Sequence, residues 1–266
     1  MKIKFNLLLV VILTTAILSG CGTSSKADNS LNDIKGKKEL VVGLDDNFPP
    51  MGFRDSSGEI VGFDIDMAKE VGKRMGVKVT FKPVEWDGVI LSLNNKDIDV
   101  IWNGLTITDK RKEQIAFSKV YLQNKQIIIV NSKSKISKNI DLNAKTVGLQ
   151  MGSSSETALA KDTLLSKSLK EVKKYSNNTE ALLDLKAGRI DAVIVDEVVG
   201  RYYVSKKPDD YKVLNENLGV EDYGVGIRKT DVLLTAEIDK LLQQMKSDGT
   251  ANTISQKWFG KDIIYK

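Results

Sequence analysis

Short apolar runs alternate with amphipathic stretches from about residue 40 to residue 260, and that alternation leaves few ways to fold. LVVGL (40–44), IDVIW (98–102), QIIIV (126–130), KTVGLQ (145–150) and IDAVIV (190–195) are short, β-branched and apolar, so they predict buried strands. In VKVTFK, Val77, Val79 and Phe81 share one strand face while Lys78, Thr80 and Lys82 share the other. Between these runs the period changes. In VGFDIDMAKEVGKRMG, Ile65, Ala68, Val71 and Met75 fall on one helical stripe, Asp64 or Asp66 can cap it and Gly76 stops it. GVILSLNNK, SSSETALAKDTLL, TEALLDLKAG and LTAEIDKLLQQMKSDG predict further helices. Repeated strand–helix units imply an α/β architecture with largely parallel sheets.

Two segments echo each other. LNNKDIDVIWN (93–103) and LKAGRIDAVIVD (185–196) share a helix end, a turn, Ile-Asp, a buried strand and a closing polar residue. Helix–turn–strand units resemble one another generally, yet the echo fits two lobes of related construction. Ligands of open α/β sheets collect beyond the carboxyl ends of strands. Asn103 and Asp196 would stand at two such ends.

Composition removes many chemistries. The chain has no histidine, hence no imidazole base, no histidine metal ligand and no Ser-His or Cys-His pair. Its single cysteine, Cys21, rules out an intrachain disulfide and a multi-cysteine metal site. No metal or cofactor is expected. The net charge of +5, or +3 without Lys2 and Lys4, is too small and too dispersed to suggest nucleic acid.

The first residues read as an address. MKIK is basic, FNLLLVVILTTAIL is apolar and shorter than a membrane span, and LSGC follows. Residues 1–20 are therefore expected to be a signal peptide of the lipoprotein type, with Cys21 as the lipidated residue of the mature chain. Residues 21–37, polar and poor in apolar residues, are expected to form a flexible tether, and the folded body to begin near Lys38 on the outer face of the cytoplasmic membrane.

One stretch breaks a local rule. In NGLTITDKR (103–111), Thr108 or Asp109 should open a helix, yet Lys110, Arg111 and Lys112 crowd its first turn, where the helix dipole favours acids. A bound anion would reconcile them.

Seven segments together bear a family likeness: LVVGLDDNFPPMGF, GEIVGFDIDMAKEV, VEWDGVILSL, DIDVIWNGLTITDKRKEQIAFSKVY, VGLQMGSSSETAL, LKAGRIDAVIVD and SDGTANTISQKWFG. In that order, over about Lys38 to Phe259, the chain resembles the bacterial extracellular solute-binding proteins of family 3, the polar amino-acid receptors of ABC importers. The resemblance implies the type II periplasmic-binding-protein fold, with two α/β lobes joined by a two-strand hinge. Residues 38–121 and 222–266 would form lobe 1, residues 126–219 lobe 2, and the hinge strands would lie near 121–125 and 220–224. The implied partners are a polar L-amino acid in the interlobe cleft and an ABC permease in the membrane, with the receptor itself a monomer.

The resemblance also distributes roles over the site. Arg111 would hold the ligand carboxylate bidentately, with Ser153 and Ser154 opposite it; Ser153 and Glu156 also fit a helix capping box. Asp196, the Gly104 carbonyl and the Thr106 hydroxyl would hold the ammonium, although Asp196 suits equally the cap of the helix that follows. Asp45, Phe48, Trp86, Asn103 and Gln150 would surround the side chain. Phe48 and Trp86 would sandwich it, while Glu85 and Asp87, neighbours of Trp86 in an extended strand, would point away. Asn103 and Gln150 depart from the residues common in the family at these positions, so no single amino acid is singled out.

Two other functions occur on this fold. A cyclohexadienyl dehydratase-like enzyme would need Asp45 or Glu85 as a general acid. A ligand-sensing domain would need a membrane span and a signalling region beyond Lys266, or a separate partner.

Overall fold

The computed structural model describes residues 28–266. The expected signal peptide and the lipidation site at Cys21 lie outside the described residues.

Two five-stranded sheets organise the chain. In the first, β1 (Glu39–Leu44) lies between β5 (Lys78–Pro83) and β6 (Val100–Ile101), parallel to both; β13 (Gly226–Ile227) and β7 (Ala116–Phe117) extend it antiparallel. In the second, β9 (Thr146–Gln150) lies parallel between β10 (Glu171–Tyr175) and β11 (Ala192–Asp196); β8 (Leu122–Asn131) and β12 (Tyr211–Tyr223) follow antiparallel. A small sheet of β2 (Asn47–Phe48), β3 (Gly52–Arg54) and β4 (Ile60–Val61) stands beside the first.

The two large sheets share one plan, with the second parallel strand at one edge, the first next to it and the third in the centre. The echoed segments fill equivalent places, β6 and β11, and the structure explains their common Ile-Asp. Asp99 Oδ2 accepts the Val41 N–H at 2.8 Å, and Asp191 Oδ2 accepts the Thr146 N–H at 2.8 Å. Each aspartate thus satisfies a backbone donor on the first strand of its own sheet. The turn before each Ile-Asp is left-handed, at Lys96 (φ 66°) and at Gly188 (φ 71°).

Helices α2 (Phe63–Met75), α3 (Val89–Asn94), α9 (Val232–Ser247) and α10 (Thr250–Phe259) build the first lobe around its sheet. The second lobe carries α5 (Ser154–Lys161), α6 (Thr163–Ser168), α7 (Asn178–Lys186) and α8 (Glu197–Lys206). The stripe Ile65, Ala68, Val71 and Met75 is buried, as its period requires. Asp64 and Asp66 do not cap α2; Gly62 occupies the N-cap and Asp64 is wholly buried. The helix expected over 153–165 is two helices, because Asp162 caps α6 by accepting the Leu165 N–H at 3.0 Å.

The tether expected over 21–37 is overturned in its second half. Ser30–Lys37 forms α1, with Ile34 buried and the helix packed on α9. Leu31 and Ile34 supply a narrow apolar stripe, and Asp28 Oδ2 ties the segment to the Leu233 N–H at 2.6 Å. Polar composition concealed a helix whose stability comes from its docking surface.

β8 and β12 carry the chain from one lobe to the other. They pair side by side where they leave the first lobe, Leu122 opposite Tyr223, Gln123 opposite Asp222, Asn124 opposite Glu221 and Lys125 opposite Val220. Side chains alternate across this ribbon, so Asn124 is buried while Gln123 and Lys125 are exposed.

Candidate functional site in the interlobe cleft

The stretch after β6 supplies one wall. Gly104 turns the chain with φ +59°, and a Cβ there would stand 2.9 Å from Phe48 Cε1 and 3.1 Å from Tyr223 Cε2, so only glycine fits. Below the turn, Asp64 Oδ2 accepts the Gly104 N–H at 2.6 Å and the Tyr121 hydroxyl at 3.0 Å. Burial pushes the Asp64 carboxyl up to about 7.

Thr108 caps α4 (Asp109–Lys112), a single turn, by accepting the Arg111 N–H at 3.2 Å. The helix dipole expected here is therefore small, since one turn aligns few peptide units. Lys110 and Lys112 are exposed, whereas Arg111 is buried. Its Nη1 donates to the Thr106 carbonyl at 2.8 Å and its Nη2 to the Gly152 carbonyl of the other lobe at 3.1 Å, leaving further N–H groups for an anion. The guanidinium carbon lies 5.8 Å from the centre of the Trp86 ring.

The second lobe faces it with β9, β11 and the start of α5. Asp196 holds the N-cap position of α8 but makes no capping bond; its Oδ1 accepts Asn124 Nδ2 at 2.6 Å and the Tyr223 hydroxyl at 2.6 Å. The carboxylate is thereby turned to the two crossing strands. Burial first and the charge of Glu221 second push it up to about 7, against the pull of Tyr223, Gln126 and Arg111. Arg111 is held below its ordinary value by burial, with Asp196 and Glu221 opposing that shift.

Contacts cross between the lobes. Thr106 Oγ1 lies 3.0 Å from Ser154 Oγ, and Gln150 Nε2 donates to Asp45 Oδ2 at 2.7 Å. Asp45 also caps its own turn, its Oδ1 accepting the Asn47 N–H at 2.8 Å. Burial raises its pKa despite both bonds. Phe48 and Trp86 are buried with near-parallel rings, 9° apart and 6.5 Å between centroids. A cleft of about 750 Å³ reaches Arg111 between Asp87 and Ile90 on one side and Gly152 and Thr157 on the other. A second, of about 380 Å³, opens beside Asp45 and Trp86.

Three local expectations change. Trp86 belongs to a 3-10 turn, Trp86–Gly88, and not to an extended strand, although Glu85 and Asp87 are indeed exposed. The Ser153–Glu156 capping box does not form. Ser153 Oγ donates to the Gln150 carbonyl at 2.7 Å, while Glu156 accepts the Gly152 N–H at 2.7 Å and pairs with Lys174. Asn103 faces inward: its Oδ1 accepts the Asp45 N–H at 3.0 Å, and its buried Nδ2 has no partner among the described residues.

Four polar residues of the cluster escaped the sequence reading. Asp64 was hidden in a plausible cap, and Asn124, Gln126 and Glu221 in the two crossing strands. The available signal was the polar run 123–126 ahead of the apolar run 127–130, and the adjacent acids at 221 and 222.

Residues 40–261 match the family described as bacterial extracellular solute-binding proteins, family 3. The L-cystine-binding protein of Escherichia coli K12 is 32% identical over 258 residues, covering 96% of each chain. The lysine/arginine/ornithine-binding periplasmic protein of the same strain is 36% identical over 261 residues, covering 95% of this chain and 97% of the relative. Among solved structures, a substrate-binding protein of an ABC uptake transporter from Streptococcus pneumoniae, with histidine bound, superposes with a TM-score of 0.87 at 37% identity, covering 90% of this chain and 99% of that one.

Proposed function

Since the chain belongs to the bacterial extracellular solute-binding proteins of family 3, we propose that it captures a polar L-amino acid outside the cytoplasmic membrane and delivers it to an ABC permease. One observation carries the reading. Arg111 from one lobe and Asp196 from the other are buried in a single hydrogen-bonded cluster, joined through Thr106, Glu221 and Asn124. A guanidinium and a carboxylate so placed match the two charged ends of a zwitterion.

In this reading Arg111 takes the carboxylate with the backbone N–H groups at the start of α5. Ser154 contributes its hydroxyl; Ser153, whose hydroxyl is spent on Gln150, contributes through its backbone. Asp196, the Gly104 carbonyl and Thr106 take the ammonium. Phe48 and Trp86 flank the side chain, and Asp45 and Gln150 receive its polar end, while Asn103 acts by holding Asp45. An acid and an amide at that end suit a cationic or amide-bearing side chain. The paired segments 122–125 and 220–223 serve as the hinge, and Cys21 as the lipid anchor.

Ligand bridges complete the closed arrangement, so binding stabilises closure. Micromolar affinity needs about 8 kcal/mol, which two charge-assisted clamps and side-chain burial can supply. A thermal-shift screen of the polar L-amino acids tests the proposal: one or a few should raise the melting temperature. Absence of any shift, or turnover of prephenate or arogenate, would overturn it.

A further inference from the structure

Glu221 sits on β12 opposite Asn124 of β8, within the ribbon that joins the lobes. Its Oε2 accepts Thr106 Oγ1 at 2.9 Å, Gln126 Nε2 at 3.0 Å and Asn124 Nδ2 at 3.4 Å. None of the hydrogen bonds among the described residues reaches its Oε1. Asn124 Nδ2 also serves Asp196 Oδ1 at 2.6 Å, so one amide holds two carboxylates. Thr106 has a single hydroxyl proton and two neighbours to share it, Ser154 and Glu221. The carboxyl oxygen of Glu221, the stronger acceptor, takes it.

The groups around the pair come from every adjoining element: Arg111 from α4, Thr106 from the strand end before it, Asn124 and Gln126 from β8, Tyr223 from β12 and Ser154 from α5. Arg111 is the cation that faces them. A buried carboxylate, Asp196, and a half-buried one, Glu221, face one guanidinium, which leaves an excess of negative charge in a site largely shielded from water. Either a proton or an ammonium can remove the excess.

We propose that Glu221 is a recognition residue for the ligand ammonium, acting as a pair with Asp196, and that the ammonium displaces a proton which the pair holds in the free protein. The ammonium enters charged, and the proton leaves to water. The raised pKa of Asp196 supports this, because it places the exchange near neutral pH. The inference rests on the amino-acid-binding reading and extends it to a residue outside both lobe walls.

The test is titration calorimetry of the full chain with L-arginine, L-histidine and L-cystine from pH 6 to 8, in phosphate and in imidazole, whose different ionisation enthalpies report proton release. Wild type should release about half a proton per ligand at pH 7 and more toward pH 6. Glu221→Gln should bind roughly tenfold more weakly at pH 7 and release fewer protons, because losing the neighbouring charge lowers the Asp196 pKa while burial still holds it above its ordinary value. A purely structural Glu221 would weaken binding and leave the proton count unchanged, which would overturn the inference. So would wild-type binding without proton release, a result that needs no variant to fold. Failure of wild type to bind any of the three amino acids would instead overturn the function proposed above, and this inference with it.

Discussion

The Gly104 N–H donates to Asp64 Oδ2 across 2.6 Å, joining the first turn of α2 to the wall of the ligand cleft. The bond fixes a left-handed glycine under the proposed ammonium site, and Asp64 is too deeply buried to touch a ligand. Asp64→Ala would strand a buried N–H and should cost about 2–3 kcal/mol of stability together with affinity. Urea unfolding and calorimetry on one preparation check both effects.

The same carboxyl makes stability depend on pH. Its pKa is about 7 in the fold against an ordinary 3.8, so between those values the folded chain keeps a proton that the unfolded chain has lost. Its contribution is therefore largest in acid and falls as pH rises from about 4 to about 7, by at most about 1.4 kcal/mol per unit. Asp64→Asn should flatten that part of the profile, as seen in urea midpoints at pH 5 and pH 8; an unchanged profile would contradict a protonated Asp64.

Arg111→Ala should weaken amino-acid binding more than a hundredfold, about 3 kcal/mol or more, while circular dichroism remains native. Arg111→Lys should restore little, because an ammonium cannot reach the Thr106 and Gly152 carbonyls and a carboxylate together in one plane. Near-normal affinity in either variant would remove Arg111 from the site.

Phe53 on β3 and Tyr202 on α8 meet across the cleft with ring centroids 5.8 Å apart, away from the charged cluster. Tyr202→Ala should raise the dissociation rate of the bound amino acid about fivefold, since an aromatic pair of this kind contributes about 1 kcal/mol to closure. Stopped-flow measurement of an unaltered dissociation rate would show that the contact does not set the closure equilibrium.

Lys96 adopts φ 66° at the turn where the second lobe places Gly188. Lys96→Gly should stabilise the protein by about 0.5–1 kcal/mol, because a left-handed lysine is strained and exposed here. Its urea midpoint should rise with ligand affinity unchanged.

Local sequence was legible where one element answers for itself. The stripe of α2 and the alternation of β5 required no partner to be read. It misled wherever a neighbour decided the outcome. Asp64 looked like a cap until α2 met Gly104. Asp196 looked like a cap until β8 and β12 brought Asn124 and Tyr223 to it. Ser30–Lys37 looked like a tether until α9 gave Ile34 a surface.

The sequence by itself determined the alternation of strands and helices, the twin Ile-Asp units and the family, because period and motif order are properties of a single chain segment after another. It also supplied Arg111 and Asp196 as candidates. Only the tertiary structure decided that Arg111 is buried between two carbonyls of different lobes, that Asp196 leaves its helix uncapped, and that Glu221 joins it. Those outcomes depend on residues about 40 to 115 positions apart, whose meeting is set by sheet topology and by the competition of each buried polar group for donors.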